Sequence, residues 1–87
     1  MTFLEFCCAV RTLRRIYGFS VTSWGRTVTH NHNLGGKVNS WHLDDMAVDG
    51  VLDRGSDLPG LKLAGAALLL DVVVEDDHVH LEPSGPR

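Results

Sequence analysis

The two cysteines of this 87-residue chain, Cys7 and Cys8, are adjacent, which removes the usual staple of a small domain. Neighbouring cysteines do not easily bridge each other, and two do not make a disulfide framework. A single chain of this length buries only about 60–65% of the surface that its unfolded form exposes, so its stability is marginal without help. The remaining helpers are a metal ion or a partner. A reducing compartment is the expected setting, and the length allows one domain.

Charge divides the chain. Residues 1–43 carry five Lys/Arg and one acid, and residues 44–87 carry three Lys/Arg and ten acids; +4 and −7 make the net charge of −3. Arg11, Arg14 and Arg15 have no aromatic residues between them and read as a solvated helix face. An acidic chain of this kind is not expected to bind nucleic acid. The start does not read as a secretion signal, since Glu5 comes early, the arginines follow the apolar run and no small-residue cleavage site appears. Residues 61–74 come nearest to a membrane span and are broken by Lys62, Gly65 and Asp71. The expectation is a soluble protein, cytoplasmic at synthesis, with no membrane span and an oligomeric state left open.

Periodicity predicts an α+β domain. Thr2 with Glu5 is a capping box, and Phe6, Val10, Leu13 and Tyr17 share one helical face, so residues 2–17 read as a helix stopped by Gly18. Residues 19–23 alternate as a short strand. Residues 30–39 are polar, contain Gly35-Gly36 and read as a loop. Residues 41–52 read as extended and 58–69 as a second helix with Pro59 in its first turn. Residues 71–75 and 78–81 read as a hairpin around Asp76-Asp77, and 82–87 as a Pro/Gly tail. The organisation is then an N-terminal helix (1–18), a core (19–82) and a short tail (83–87), with two helices on an antiparallel sheet.

The chemistry concentrates in Ser40-Trp41-His42-Leu43-Asp44-Asp45-Met46-Ala47-Val48-Asp49 and in His80, thirty-one residues after Asp49. His42, Asp49 and His80 make a three-ligand set of the kind a catalytic zinc uses, which leaves the fourth position for water. Each has a bland competitor: a surface histidine, a turn aspartate, an exposed strand histidine. An acid in an apolar strand needs a partner, and zinc is one. His78 shares the strand face of His80 and is a candidate hydrogen-bonding neighbour of the metal site. Asp77, three before His80, must sit in the turn to reach the metal, and Asp76 competes with it. His30 and His32 are left out of the metal set as polar loop. Trp24 and Trp41 can wall a cleft or pack in the core. Gly35-Gly36 lacks the Lys and Ser/Thr pattern of a phosphate loop.

These residues resemble the zinc D-alanyl-D-alanine peptidase family, which includes vancomycin-resistance dipeptidases, D,D-carboxypeptidases and phage L-alanyl-D-glutamate endolysins of hedgehog-like α+β fold. The family motif S-x-H-x-x-G-x-A-x-D reads here as Ser40, His42, Asp45, Ala47 and Asp49, with Asp45 in the glycine position. The second motif, a carboxylate three before a histidine, reads as Asp77 and His80. Ser23, Arg26, Asn31, Gly35 and Gly36 fit the upstream pattern. The resemblance spans residues 20–82. It implies His42, Asp49 and His80 as zinc ligands, Asp77 as general base and Arg26 as the cation facing the oxyanion or a substrate carboxylate. It leaves His78, Ser40, Asn31 and Ser23 as second-sphere or substrate residues. It implies a peptidoglycan stem peptide as substrate, cut as a carboxypeptidase or an endopeptidase would cut it, with a phage lytic role plausible. The competing reading is a zinc-stabilised, non-catalytic module, or a wall-binding protein that holds stem peptides through Arg26.

Overall fold

The computed structural model describes residues 1–25, 27–35 and 41–85. Helix α1 (Phe3–Tyr17) starts at the expected capping box: the Thr2 amide donates to Glu5 Oε1 at 2.8 Å, and the Glu5 amide to Thr2 Oγ1 at 3.1 Å. It ends at Gly18, which takes the left-handed conformation (φ 59°) and donates its amide to the Arg14 carbonyl. Strand β1 (Phe19–Trp24) follows, then a short helix α2 (Val28–Asn33) and a 3-10 turn at Trp41–Asp44. Strand β2 (Val48–Leu52), a 3-10 turn at Gly55–Asp57, helix α3 (Leu58–Ala67) and the hairpin β3 (Leu70–Val74) and β4 (Val79–Pro83) complete the order. The class is α+β with one four-stranded antiparallel sheet, in the order β1-β2-β4-β3. Among the described residues, no helix is long and apolar enough to cross a membrane.

Three expectations are corrected. Residues 30–33 of the expected loop are helical, as part of α2, which the Thr27 hydroxyl caps by accepting the His30 amide at 3.1 Å. That helix was invisible to periodicity, since Thr-His-Asn-His carries no apolar stripe. Residues 41–47 are not extended: Trp41–Asp44 form a 3-10 turn and the strand begins only at Val48. The C-terminal strand continues through Pro83, so Glu82 belongs to the sheet and not to a tail.

The sheet has two chemically different faces. Helix α1 brings Phe6, Ala9, Val10 and Leu13, and α3 brings Leu61, to one core with Phe19, Val48, Leu70, Val79 and Leu81. Burying such side chains is the main driving force for folding. The alternating positions Asp49, Val51, Val73, His80 and Glu82 project from the other face. Helix α1 is therefore part of the core and not an appendage to it.

Gly50 lets β1 and β2 lie close. A Cβ there meets the Ser20 carbonyl and lies 2.5 Å from Phe19 Cζ. Gly50→Ala is expected to destabilise the protein by about 1–3 kcal/mol through overpacking, lowering Tm by roughly 5–20 °C for a domain this size. Gly55→Ala, which meets nothing within 4 Å, is the matched control and should leave Tm nearly unchanged in thermal melts.

Candidate metal centre

Two of the three candidate ligands meet across the sheet. In the β2–β4 ladder Asp49 is the direct partner of His80, and His80 Nδ1 lies 2.9 Å from Asp49 Oδ1. Cross-strand partners present their side chains to the same face at contact distance. Both side chains are largely buried, 13% and 12% exposed. On the other side Ser23 of β1 is the partner of Asp49, so Ser23, Asp49 and His80 form one row across three strands. A bulge between Val21 and Ser23 shifts the register next to this row, and the Thr22 hydroxyl donates to the Asp49 carbonyl at 3.2 Å. Bulges of this kind re-aim side chains near functional sites.

Further polar groups converge on the pair. His78 Nε2 lies 3.7 Å from Asp49 Oδ1 and 3.5 Å from Glu75 Oε2. His78 and His80 thus both approach the Asp49 carboxylate, although His78 lies in the hairpin turn and not on the strand expected for it, since β4 begins at Val79. Asp49, Glu75 and His80 each offer a ligand atom within 4.8 Å of the others. Carboxylate oxygen and imidazole nitrogen are donors that suit zinc and related divalent ions. Glu82 Oε1 lies 2.9 Å from His80 Nε2, so the ring is held from both sides. Glu75 and Glu82 were not singled out by sequence. Glu82 sits two residues after His80 on one strand, a period-two signal present in the sequence. Glu75 reaches the site through the hairpin turn, where its amide donates to the His78 carbonyl at 2.9 Å; no spacing rule announces that.

Asp77 is placed differently. Its carboxylate is 89% exposed and pairs with His78 Nδ1 at 2.6 Å. The hydrogen bond from His78 holds the Asp77 carboxyl below its ordinary value, and the same bond raises His78. Burial pushes His80 down, but the hydrogen bonds and charges of Asp49 and Glu82 outweigh it and leave the imidazole above its ordinary value. A cleft of about 220 Å³ beside the hairpin turn is walled by Val51, Leu58, Val74 and Val79 and includes Glu75, Asp77 and His78.

Arg26 and Ser40 lie outside the described residues, and so does the side chain of His42, whose backbone belongs to the 3-10 turn. Asn31 is buried on α2. The segment entering β2 is pinned at several points. Trp24 Nε1 donates to the Asp45 carbonyl at 2.8 Å, the Gly25 amide to Ala47 at 3.1 Å and the Met46 amide to Trp41 at 3.0 Å. Trp24 also meets Phe3 and Phe6 edge-on, with ring centroids 6.5 and 5.8 Å apart, and Trp41 packs against the core. Both tryptophans thus contact core residues, and Trp24 stays partly exposed. Asp45 takes a left-handed conformation (φ 58°) at the position where the resembling family has glycine.

No protein-family model, curated protein or solved structure matches this chain.

Two outcomes follow. Aspartate tolerates the left-handed region better than most residues, but glycine enters it freely and a β-branched residue enters it worst. Asp45→Gly should leave Tm unchanged or raise stability by up to about 1 kcal/mol, and Asp45→Val should lose about 1–2 kcal/mol, read by thermal melts. In chelated protein, His78 and His80 have raised values in the folded state. The stability they contribute is full below an unfolded value of about 6.5 and is lost as pH rises through the folded values. Chelated protein should melt higher near pH 6 than near pH 8.5 by calorimetry; a flat or opposite profile refutes the paired imidazoles.

Proposed function

We propose that this chain is a zinc-dependent peptidase of hedgehog-like fold that hydrolyses the stem peptide of peptidoglycan, at a D-Ala-D-Ala terminus or an L-Ala-D-Glu-type bond. The observation that carries the reading is the Asp49–His80 pairing: two residues thirty-one apart, selected as ligands by motif, are cross-strand partners at 2.9 Å. Two further features support it. Ser23 shares their row, and the backbone at Asp45 adopts the conformation that a glycine motif position favours.

In this reading His42, Asp49 and His80 hold the metal. Zinc when bound supplies a Lewis acid and lowers the pKa of its water to about 7. The chain's own groups do the rest. The resemblance gives Arg26 the role of countering the developing oxyanion or the substrate carboxylate, for which a rigid guanidinium fork suits a planar anion. A carboxylate takes the proton from water and returns it to the leaving amine, a role that typically contributes about 10²–10⁴ in rate. Asp77 has the motif spacing for that role, and Glu75 has the position, since it already lies within 4.8 Å of the Asp49–His80 pair.

The second reading is a zinc-stabilised module that binds cell-wall peptide without cutting it. The exposure of Asp77 and its pairing with His78, away from the Asp49–His80 pair, favours that alternative.

A mass-spectrometric digest of purified peptidoglycan separates the two. Zinc-loaded protein should release new peptide fragments, and chelated protein none. Asp49→Ala should lose both metal and fragments. Of Asp77→Asn and Glu75→Gln, the one that keeps zinc but loses about 10²–10⁴ in rate identifies the base. A folded protein that holds one zinc and releases nothing leaves the binding module.

A further inference from the structure

A contact beside the candidate metal centre that the proposed function does not use is between His80 and Glu82. They are two residues apart on β4, so their side chains leave the same face of the sheet. Glu82 Oε1 lies 2.9 Å from His80 Nε2, while His80 Nδ1 lies 2.9 Å from Asp49 Oδ1 on the opposite side of the ring. The Glu82 side chain is only 28% exposed, so its hydrogen bond is shielded from competing water. The two carboxylates therefore reach the two different nitrogens of one imidazole. An imidazole that donates from one nitrogen presents a lone pair at the other.

We infer that Glu82 is a positioning residue that accepts the Nε2–H of His80 and so presents Nδ1, the nitrogen facing Asp49, as the metal-binding atom. The inference rests on the proposed metal site and names the group that orients one of its ligands. A carboxylate on the far nitrogen of a ligating histidine fixes both tautomer and ring orientation, and its removal typically weakens metal binding 10–100-fold. Strand β4 makes the arrangement rigid. It is an interior strand with β2 on one side and β3 on the other, and Glu82 is itself in register with Asp71 of β3.

The test uses two variants and two readouts. Zinc affinity is measured by competition with a chromophoric chelator for the unaltered chain, Glu82→Gln and Glu82→Ala. The tautomer of His80 is read in zinc-free protein by nitrogen-15 NMR from about pH 6 to about pH 10, across the ordinary histidine range. Glu82→Ala should bind zinc about 10–100-fold more weakly and lose the Nε2–H preference. Glu82→Gln keeps an amide oxygen that still accepts a weaker hydrogen bond, so it should fall between the two and guard against misfolding of the alanine variant. An Nδ1–H tautomer in the unaltered protein overturns the inference, as does an alanine variant that is folded and binds zinc at full strength. If the unaltered protein takes up no zinc, the zinc-peptidase reading fails, and the tautomer readout alone then decides the role of Glu82.

Discussion

The architecture turns on the pairing of β2 with β4, because one register serves both the core and the site. Asp49 lies between Val48 and Gly50, all three buried. A carboxylate in that position is costly unless it is partnered. Antiparallel pairing sets His80 opposite it, while Val48 and Leu81 face the core together. A slip of one residue exchanges these faces, driving Asp49 into the apolar layer. The Phe19 ring packed against the missing side chain of Gly50 reinforces the same register from β1.

Around that pair, the acidic half of the chain acquires a local purpose. Asp49, Glu75, Asp77 and Glu82 each lie within 3.7 Å of a nitrogen of His78 or His80. The hydrogen bond of Asp77 to His78, and the hydrogen bonds and charges of Asp49 and Glu82 at His80, favour the protonated imidazoles and raise both histidines, at His80 against its burial. A divalent cation satisfies the same carboxylates and needs the imidazole lone pairs instead. Proton and metal would then compete for one cluster, in the catalytic reading and in the binding reading alike.

The segment that leads into β2 is held by backbone hydrogen bonds and by one indole. Trp24 ties the Asp45 carbonyl to the end of β1 while its ring rests against Phe3 and Phe6 of α1. The motif-bearing stretch is therefore braced by the hydrophobic core through one indole. This explains how a short chain without a disulfide keeps a 3-10 turn, a left-handed residue and the start of a strand in consecutive order.

Much of the frame could be read from residues alone. Helix α1, its capping box and its glycine stop, helix α3, strand β1 and the terminal hairpin all follow from local rules, because their signals lie within a turn or two of chain. The motif spacing likewise picked out Asp49 and His80, which the β2–β4 register sets opposite each other. What local rules missed were features made by contact at a distance. Helix α2 depends on a hydroxyl cap rather than an apolar stripe, and the left-handed Asp45 on a turn clamped by Trp24. Glu75 reaches the site through a hairpin turn. The two nitrogens of His80 are distinguished only once Asp49 and Glu82 stand on either side of the ring. The sequence by itself determined which groups were available for the site and most of the helices and strands, with α2 and the 3-10 turn before β2 excepted. Tertiary structure alone decided which carboxylate meets which nitrogen, because that depends on strand register and turn geometry, which no pairwise spacing encodes.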